Sequence, residues 1–199
     1  MTEPAPADPI GRFNALFEQA KALPRERLPE PTSFALGTAD ERGIPSVRIV
    51  LLKDVDEDGF VFYTNHQSRK GRELLATHRA ALCFHWQPLE VQVRVEGRVG
   101  VVSPEEADEY FASRARGSQI GAWASQQSQT ILHPGDLEAR VADVEKRFEG
   151  KPVTRPPHWS GFRVTPRRIE FWKGKPDRLH ERDVYERVGE NWRISRLYP

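Results

Sequence analysis

The stretch Glu90 to Val102 constrains the fold of this chain most tightly. Val91, Val93 and Val95 alternate with Gln92, Arg94 and Glu96, the period-two pattern of a strand that buries one face. It belongs to a series of short strand-like runs: Ser33 to Thr38, Val47 to Lys53, Phe60 to Thr64, Ala80 to Trp86, Trp159 to Pro166, Arg168 to Trp172, Asp183 to Val188 and Trp192 to Leu197. Turn residues punctuate them, among them Asp40-Glu41-Arg42-Gly43 and Asp56-Glu57-Asp58-Gly59. Helical spacing intervenes in only a few places. Pro9 to Ala22 carries Ile10, Phe13, Leu16, Phe17 and Ala20 on one face behind the capping residue Asp8. Ser68 to Thr77, the capping box Ser103-Pro104-Glu105-Glu106 leading to about Ser113, Ser118 to Ser125, and Pro134 to Phe148 complete the helices. Strands and helices do not alternate regularly, which disfavours a doubly wound parallel sheet. The pattern predicts a mainly β, antiparallel core with inserted helices (α+β), a small barrel rather than a sandwich. It forms one domain over residues 9–199 behind a flexible tail at residues 1–8.

Charge and cysteine usage narrow the function. The net charge is +1, so any phosphate must be met by local clusters of Arg and Lys, and no nucleic-acid partner is expected. No stretch approaches the ~20 apolar residues of a membrane helix, and no basic-then-apolar leader opens the chain, so no membrane association and a cytoplasmic location are expected. Cys83 is the one cysteine and is expected to be a buried structural thiol in a reducing compartment. No cysteine or histidine spacing suits a metal site.

Four groups of residues could carry chemistry. Arg48 and Lys53 bracket the apolar Ile49-Val50-Leu51-Leu52, either as solvated strand-end cations or as ligand contacts. Tyr63-Thr64 end a strand, and Arg69 and Lys70 occupy the first turn of the helix opened by Ser68. Cations there oppose the helix dipole, which makes sense with an anion at that end; a surface basic pair is the alternative. Arg178, His180 and Arg182 share one face of an extended chain. Two guanidiniums crowding an imidazole call for an anion, unless Glu181 and Asp183 supply the counter-charge of an ordinary surface turn. Tyr110 and Arg114 are four apart, one helical turn, with Ser118 following; these groups suit a phosphate monoester or form an ordinary helix surface. There is no GxSxG serine and no Cys-His pair, so the reaction is expected to belong to a cofactor.

With these residues in view, the chain resembles the pyridoxine/pyridoxamine 5'-phosphate oxidases. Ile169-Glu170-Phe171-Trp172 followed by Arg178-Leu179-His180-Glu181-Arg182 resembles the family's C-terminal signature. Arg48 to Lys53, Phe62-Tyr63-Thr64-Asn65, Ser68-Arg69-Lys70, and Ser118 to Ser125 with Gln127-Ser128 resemble further family segments, in order, over about Asp8 to Pro199. The resemblance implies a split β-barrel homodimer with FMN at the subunit interface. It implies FMN phosphate at Arg48, Arg69, Lys70 and Ser128. The rest of the flavin site would be lined by Ile49, Val50, Leu51, Leu52, Lys53, Tyr63, Thr64, Gln92, Gln127, Trp172 and Arg182. Substrate phosphate would meet Lys53, Tyr110, Arg114 and Ser118, with Arg178, Leu179 and His180 at the substrate ring and Arg178 and His180 as the catalytic pair. The implied reaction is hydride transfer from the substrate C4' to flavin N5, with O2 as the acceptor. Two features depart from the family pattern: Val91 stands where Arg is usual, and no basic, aromatic segment precedes the first helix. Two other readings remain: a related split-barrel flavin oxidase acting on a phenazine precursor, and a non-catalytic protein that binds pyridoxal phosphate or flavin.

Overall fold

A computed structural model describes residues 7–199; residues 1–6 of the expected tail lie outside the described residues. Nine strands form one sheet. They are β1 (Ser33–Ala39), β2 (Pro45–Leu51), β3 (Asp54–Asp56), β4 (Gly59–Asn65), β5 (Arg79–Trp86), β6 (Val91–Val101), β7 (Trp159–Lys173), β8 (Glu181–Val188) and β9 (Asn191–Arg196). Their order is β2-β1-β5-β6-β7-β4-β3, with β8 added to β7 and β9 to β8. Each pairing is antiparallel. The two ends of that path, β2 and β3, are consecutive in the chain, separated by Leu52 and Lys53 alone. Leu52 N–H donates to Thr32 O (2.8 Å) and Lys53 N–H to Val61 O (2.9 Å), so the sheet curls round to its own far edge. The expected antiparallel, mainly β core with inserted helices is what forms.

The runs Trp159 to Pro166 and Arg168 to Trp172 were expected as two strands and are one, β7. Proline lacks the N–H a ladder needs, but Pro166 sits where that loss is tolerated. Pairing with β4 ends at Val164 and pairing with β8 begins at Arg168, so no neighbour asks for its donor. On the other side the β6 register shifts between Glu96 and Gly97, a bulge opposite Pro166.

Five helices decorate the sheet: α1 (Pro9–Lys21), α2 (Arg69–Thr77), α3 (Pro104–Ser113), α4 (Arg116–Ala124) and α5 (Asp136–Arg147). Asp8, Ser68 and Ser103 cap α1, α2 and α3 through their side chains. Phe13 of α1 is fully buried and meets Phe60 and Phe84 edge-on, at 4.9 and 5.0 Å between ring centres. Leu36, Phe62, Leu82, Val93, Val95, Val164 and Ile169 extend the same core. Phe111, Ile120, Phe148, Val153 and Trp159 form a second one beneath α3, α4 and α5. Cys83, expected to be buried, is only half-buried, on the outer face of β5. Val91 points into the main core and Gln92 away from it. Among the described residues no helix is long and apolar enough to cross a membrane, and no three His, Cys, Asp or Glu side chains are grouped to hold a metal ion.

Candidate functional site

A cleft of about 760 Å³ opens between β2, β4, the start of α2 and the α3–α4 corner, within the size range of small-molecule sites. Arg48, Ile49, Val50, Leu51, Lys53, Tyr63, Thr64, Lys70, Tyr110, Arg114, Ser118 and Gln127 all line it, as do Asn65, Ser125 and Trp159, to which the sequence assigned no site role. Leu52 turns into the core instead.

The cations of this cleft differ in how they are compensated. Arg48 donates to Leu36 O (3.1 Å), Thr38 Oγ1 (2.5 Å), the Ser46 hydroxyl and Glu73 Oε2 (3.4 Å). Glu73 also receives Arg69 Nε at 2.8 Å, one helical turn away. Burial alone would raise the Glu73 pKa; hydrogen bonds from Thr38, Ser46 and Arg69, with the charge of Arg48, outweigh it and hold the carboxyl at about 2. Lys70 is only 9% exposed and forms no ion pair with a carboxylate among the described residues. Its ammonium donates to Gln127 Oε1 (2.6 Å), Thr64 Oγ1 (3.2 Å) and Ser68 Oγ (3.3 Å). Burial, then the nearby charge of Arg48, pulls its pKa down.

The backbone forces this arrangement. Ser68 Oγ caps α2 by accepting from Gly71 N–H (3.2 Å). A Cβ on Gly71 would lie 2.4 Å from His66 O, so only glycine lets the helix sit so close to the end of β4. Arg69 N–H reaches Ser128 Oγ at 3.1 Å; neither residue lines the cleft, although their chain neighbours Lys70 and Gln127 do.

On the far wall Tyr63, Tyr110 and Trp159 lie nearly parallel, with Tyr63–Tyr110 centres 4.0 Å apart and Tyr63–Trp159 centres 5.4 Å apart. Gly161 makes room, since a Cβ there would meet the Tyr63 ring at 2.8 Å. Burial, then Glu106, pushes the Tyr63 hydroxyl pKa up. Arg114 lies over Trp159 at 4.7 Å. Its Nη1 is buried with no hydrogen-bond partner, and burial lowers its pKa. Arg114 is not on the α3 face as expected. It is the extended residue that ends α3, and Ser118 follows in α4, so a corner, not a helical turn, brings the three groups together.

A buried ammonium and a buried, orphaned guanidinium N–H are costly unless anions meet them. The cleft could therefore seat two anions, one beside α2 and one at the α3–α4 corner. The donor chemistry fits a phosphate at each.

The remaining expected residues lie elsewhere on the chain. Gln92, Trp172 and Arg182 are consecutive cross-strand partners on β6, β7 and β8, so they form one row on the outer face of the sheet. His180 packs its ring against Trp172 (4.6 Å) and accepts from Lys175 N–H at Nδ1 (3.2 Å). The expectation that Arg178 and Arg182 crowd His180 does not hold. A tight turn at Pro176–Arg178, with Asp177 and Arg178 at φ of +57° and +60°, breaks the extended chain. Arg178 and Leu179 are left exposed, and Arg182 turns to Glu170 at 2.8 Å. Glu181 and Asp183 pair instead with Lys175 and with Arg12 and Arg196. None of this second group lines the cleft. Two buried acids that pair with these arginines were not singled out. Glu73 was discoverable from its i+4 spacing to Arg69, and Glu170 from being an acid inside an apolar strand.

The family model described as pyridoxamine 5'-phosphate oxidase matches residues 21–173, and that of the pyridoxine 5'-phosphate oxidase C-terminal dimerisation region matches residues 159–199. A pyridoxine/pyridoxamine 5'-phosphate oxidase from Myxococcus xanthus (strain DK1622) is 59% identical over 194 residues, 98% of this chain and 93% of that protein. One from Rubrobacter xylanophilus is 55% identical over 195 residues, 98% of this chain and 88% of that protein. Among solved structures, PhzG from Burkholderia lata 383, crystallised with tetrahydrophenazine-1-carboxylic acid, superposes with a TM-score of 0.91 at 31% identity over 100% of this chain and 98% of that one. An FMN-binding protein related to pyridoxamine 5'-phosphate oxidase from Nostoc punctiforme shares the fold, with a TM-score of 0.74 at 16% identity over 100% of both chains.

Proposed function

The chain belongs to the pyridoxine/pyridoxamine 5'-phosphate oxidase family, and from that premise we propose that it is an FMN-dependent oxidase converting pyridoxamine or pyridoxine 5'-phosphate to pyridoxal 5'-phosphate. The observation that carries the reading is that one cleft holds the buried Lys70 ammonium and the half-buried Arg114, whose Nη1 is buried without a partner, neither of them paired with a carboxylate among the described residues. Two phosphate-bearing molecules side by side, a cofactor and a substrate, satisfy both.

Lys70, with Arg48, Arg69 and Ser128, would hold the FMN phosphate. Ile49, Val50, Leu51, Tyr63, Thr64 and Gln127 would line the flavin. Arg114, Tyr110 and Ser118 would hold the substrate phosphate, with Lys53 between the two. Bound FMN would supply the hydride acceptor for the substrate C4', with O2 as the final acceptor giving H2O2; for the amine substrate, hydrolysis of the resulting imine by water would release NH3 and leave the aldehyde. The protein's part is orientation: two anchored phosphates leave the reacting rings little freedom. A second copy would bring Gln92, Trp172, Arg178, His180 and Arg182 over the cleft, since one chain cannot. Val47 and Ile49, 71% and 66% exposed beside the cleft, are apolar surface that such a partner would cover. In that position Arg178 stabilises negative charge on the substrate and His180 contacts its ring.

The test is spectroscopic. Purified protein loaded with FMN is mixed with pyridoxamine 5'-phosphate in the absence of oxygen. Bleaching of a flavin band near ~450 nm that recovers in air is the expected result. A band that persists would overturn the substrate assignment, and failure to take up FMN would overturn the cofactor.

A further inference from the structure

Glu170 is the most deeply buried charged side chain outside the cleft, 1% exposed on the outer face of β7. Three guanidiniums surround it. Arg182 donates to Oε1 from Nε (2.9 Å) and Nη2 (2.8 Å). Arg168 Nη2 and Arg94 Nη1 reach Oε2 at 2.9 and 3.5 Å. Burial would raise the Glu170 pKa; the hydrogen bonds from Arg182 and Arg168 prevail and lower it. Arg182 is also held on its other arm, Nη1 donating to Tyr198 O at 3.1 Å.

A guanidinium has five N–H groups in one plane. Three are used by Glu170 and Tyr198, which fixes the plane and leaves two to present. Glu170 lies diagonally across from Arg182, one pleat from the row Gln92–Trp172–Arg182. Burying a carboxylate is costly, and apolar replacements of buried ion pairs often stabilise, so stability alone does not account for an acid here. Arg168 and Arg94 have a second acid in Glu96, at 3.0 and 3.6 Å; for Arg182, Glu170 is the one carboxylate in reach among the described residues.

We infer that Glu170 is a positioning residue: it aims the two remaining N–H groups of Arg182 at the flavin held by the opposite copy. The inference rests on the proposed function, which places Arg182 in the flavin site. Because Glu170 already neutralises Arg182, the role of Arg182 there is that of a directed hydrogen-bond donor, not of a phosphate cation.

The experiment is a double-mutant cycle read by FMN affinity of the apoprotein, followed by quenching of flavin fluorescence. Glu170→Gln is expected to weaken FMN binding about tenfold, the loss of one directed charged contact. In an Arg182→Ala background the same change should alter affinity less than about twofold. Arg168→Ala removes another arm of Glu170 without touching Arg182; it should lower Tm and leave FMN affinity within about twofold. Should Glu170→Gln fold poorly, Glu170→Asp, which keeps the charge but withdraws it, should give a smaller loss of affinity at a Tm close to wild type. An undiminished effect of Glu170→Gln without Arg182 would overturn the inference, as would unchanged FMN affinity in both Glu170 variants. Wild-type protein that fails to take up FMN would overturn the proposed function and this inference together, whereas wild-type uptake with flat variants sinks the inference alone.

Discussion

The cleft and the C-terminal row hold their cations in opposite ways. In the cleft, the buried Lys70 and the half-buried Arg114 have no acid partner among the described residues, and burial pulls their pKa values down. In the row, Arg182 is tied to a buried glutamate. An uncompensated buried cation costs folding free energy and waits for an anion; a compensated one is merely aimed. The first region should therefore trade stability for ligand affinity, whereas the second should show little of that trade.

Lys70→Met gives the largest effect and the sharpest contrast. Removing the ammonium should weaken FMN binding by about 100-fold or more, the scale for a buried charge-assisted contact. The apoprotein should be as stable as wild type or more so, because an unpaired buried charge is gone. Calorimetry of the apoprotein beside an FMN titration checks both signs at once. A clear drop in apoprotein Tm would break the comparison, since Lys70 would then be part of the fold and not held in reserve for a ligand.

Glu73 tests the one point where the cleft is compensated. Its pKa falls from an ordinary 4.5 to about 2. A depressed carboxyl contributes stability that is complete above its unfolded pKa and is lost as pH falls toward the folded value. Wild type should thus lose stability between pH about 4.5 and about 2. Glu73→Gln should be less stable at neutral pH, by about 3 kcal/mol as for a broken buried pair, and flatter across that acid window. Acid titrations followed by circular dichroism would measure both. Equal slopes for the two proteins would show that other carboxylates dominate the acid limb.

Much of this contrast was readable in the residues. The alternation Val91 to Glu96 yielded β6, and Ser68 yielded the cap of α2 with its flanking cations. Local patterns of this kind need only neighbours in sequence. The corner that brings Tyr110, Arg114 and Ser118 together was read as a helix face although the end of α3 near Ser113 was itself legible; what no local pattern announces is how α4 turns away after it. The fusion of β7 across Pro166 was hidden for a related reason: whether a proline is tolerated depends on strands that arrive from elsewhere. Trp159 was missed as a cleft residue, since its stacking partners Tyr63 and Tyr110 come from distant segments. The pairing of Arg182 with Glu170 likewise needs the β7–β8 register, which no spacing in the sequence announces.

The smallest effect is expected at the turn beside the row. Leu179 is 69% exposed and follows two consecutive residues with left-handed backbone. The shape of this turn rests on its backbone and on the Lys175–His180 hydrogen bond, not on core packing. Leu179→Ser should therefore change stability by no more than about 0.5 kcal/mol, the usual range for surface substitutions, or about 1–2 °C in Tm for a chain of this size. If a second copy lays this turn over the substrate, KM for pyridoxamine 5'-phosphate should rise about threefold, the cost of one modest apolar contact, with kcat unchanged. Steady-state kinetics beside a thermal scan separate the outcomes. A several-degree loss of Tm with unaltered kinetics would assign the turn to the fold, and the row would then hold Arg182 in place for structure and not for the site it is proposed to complete.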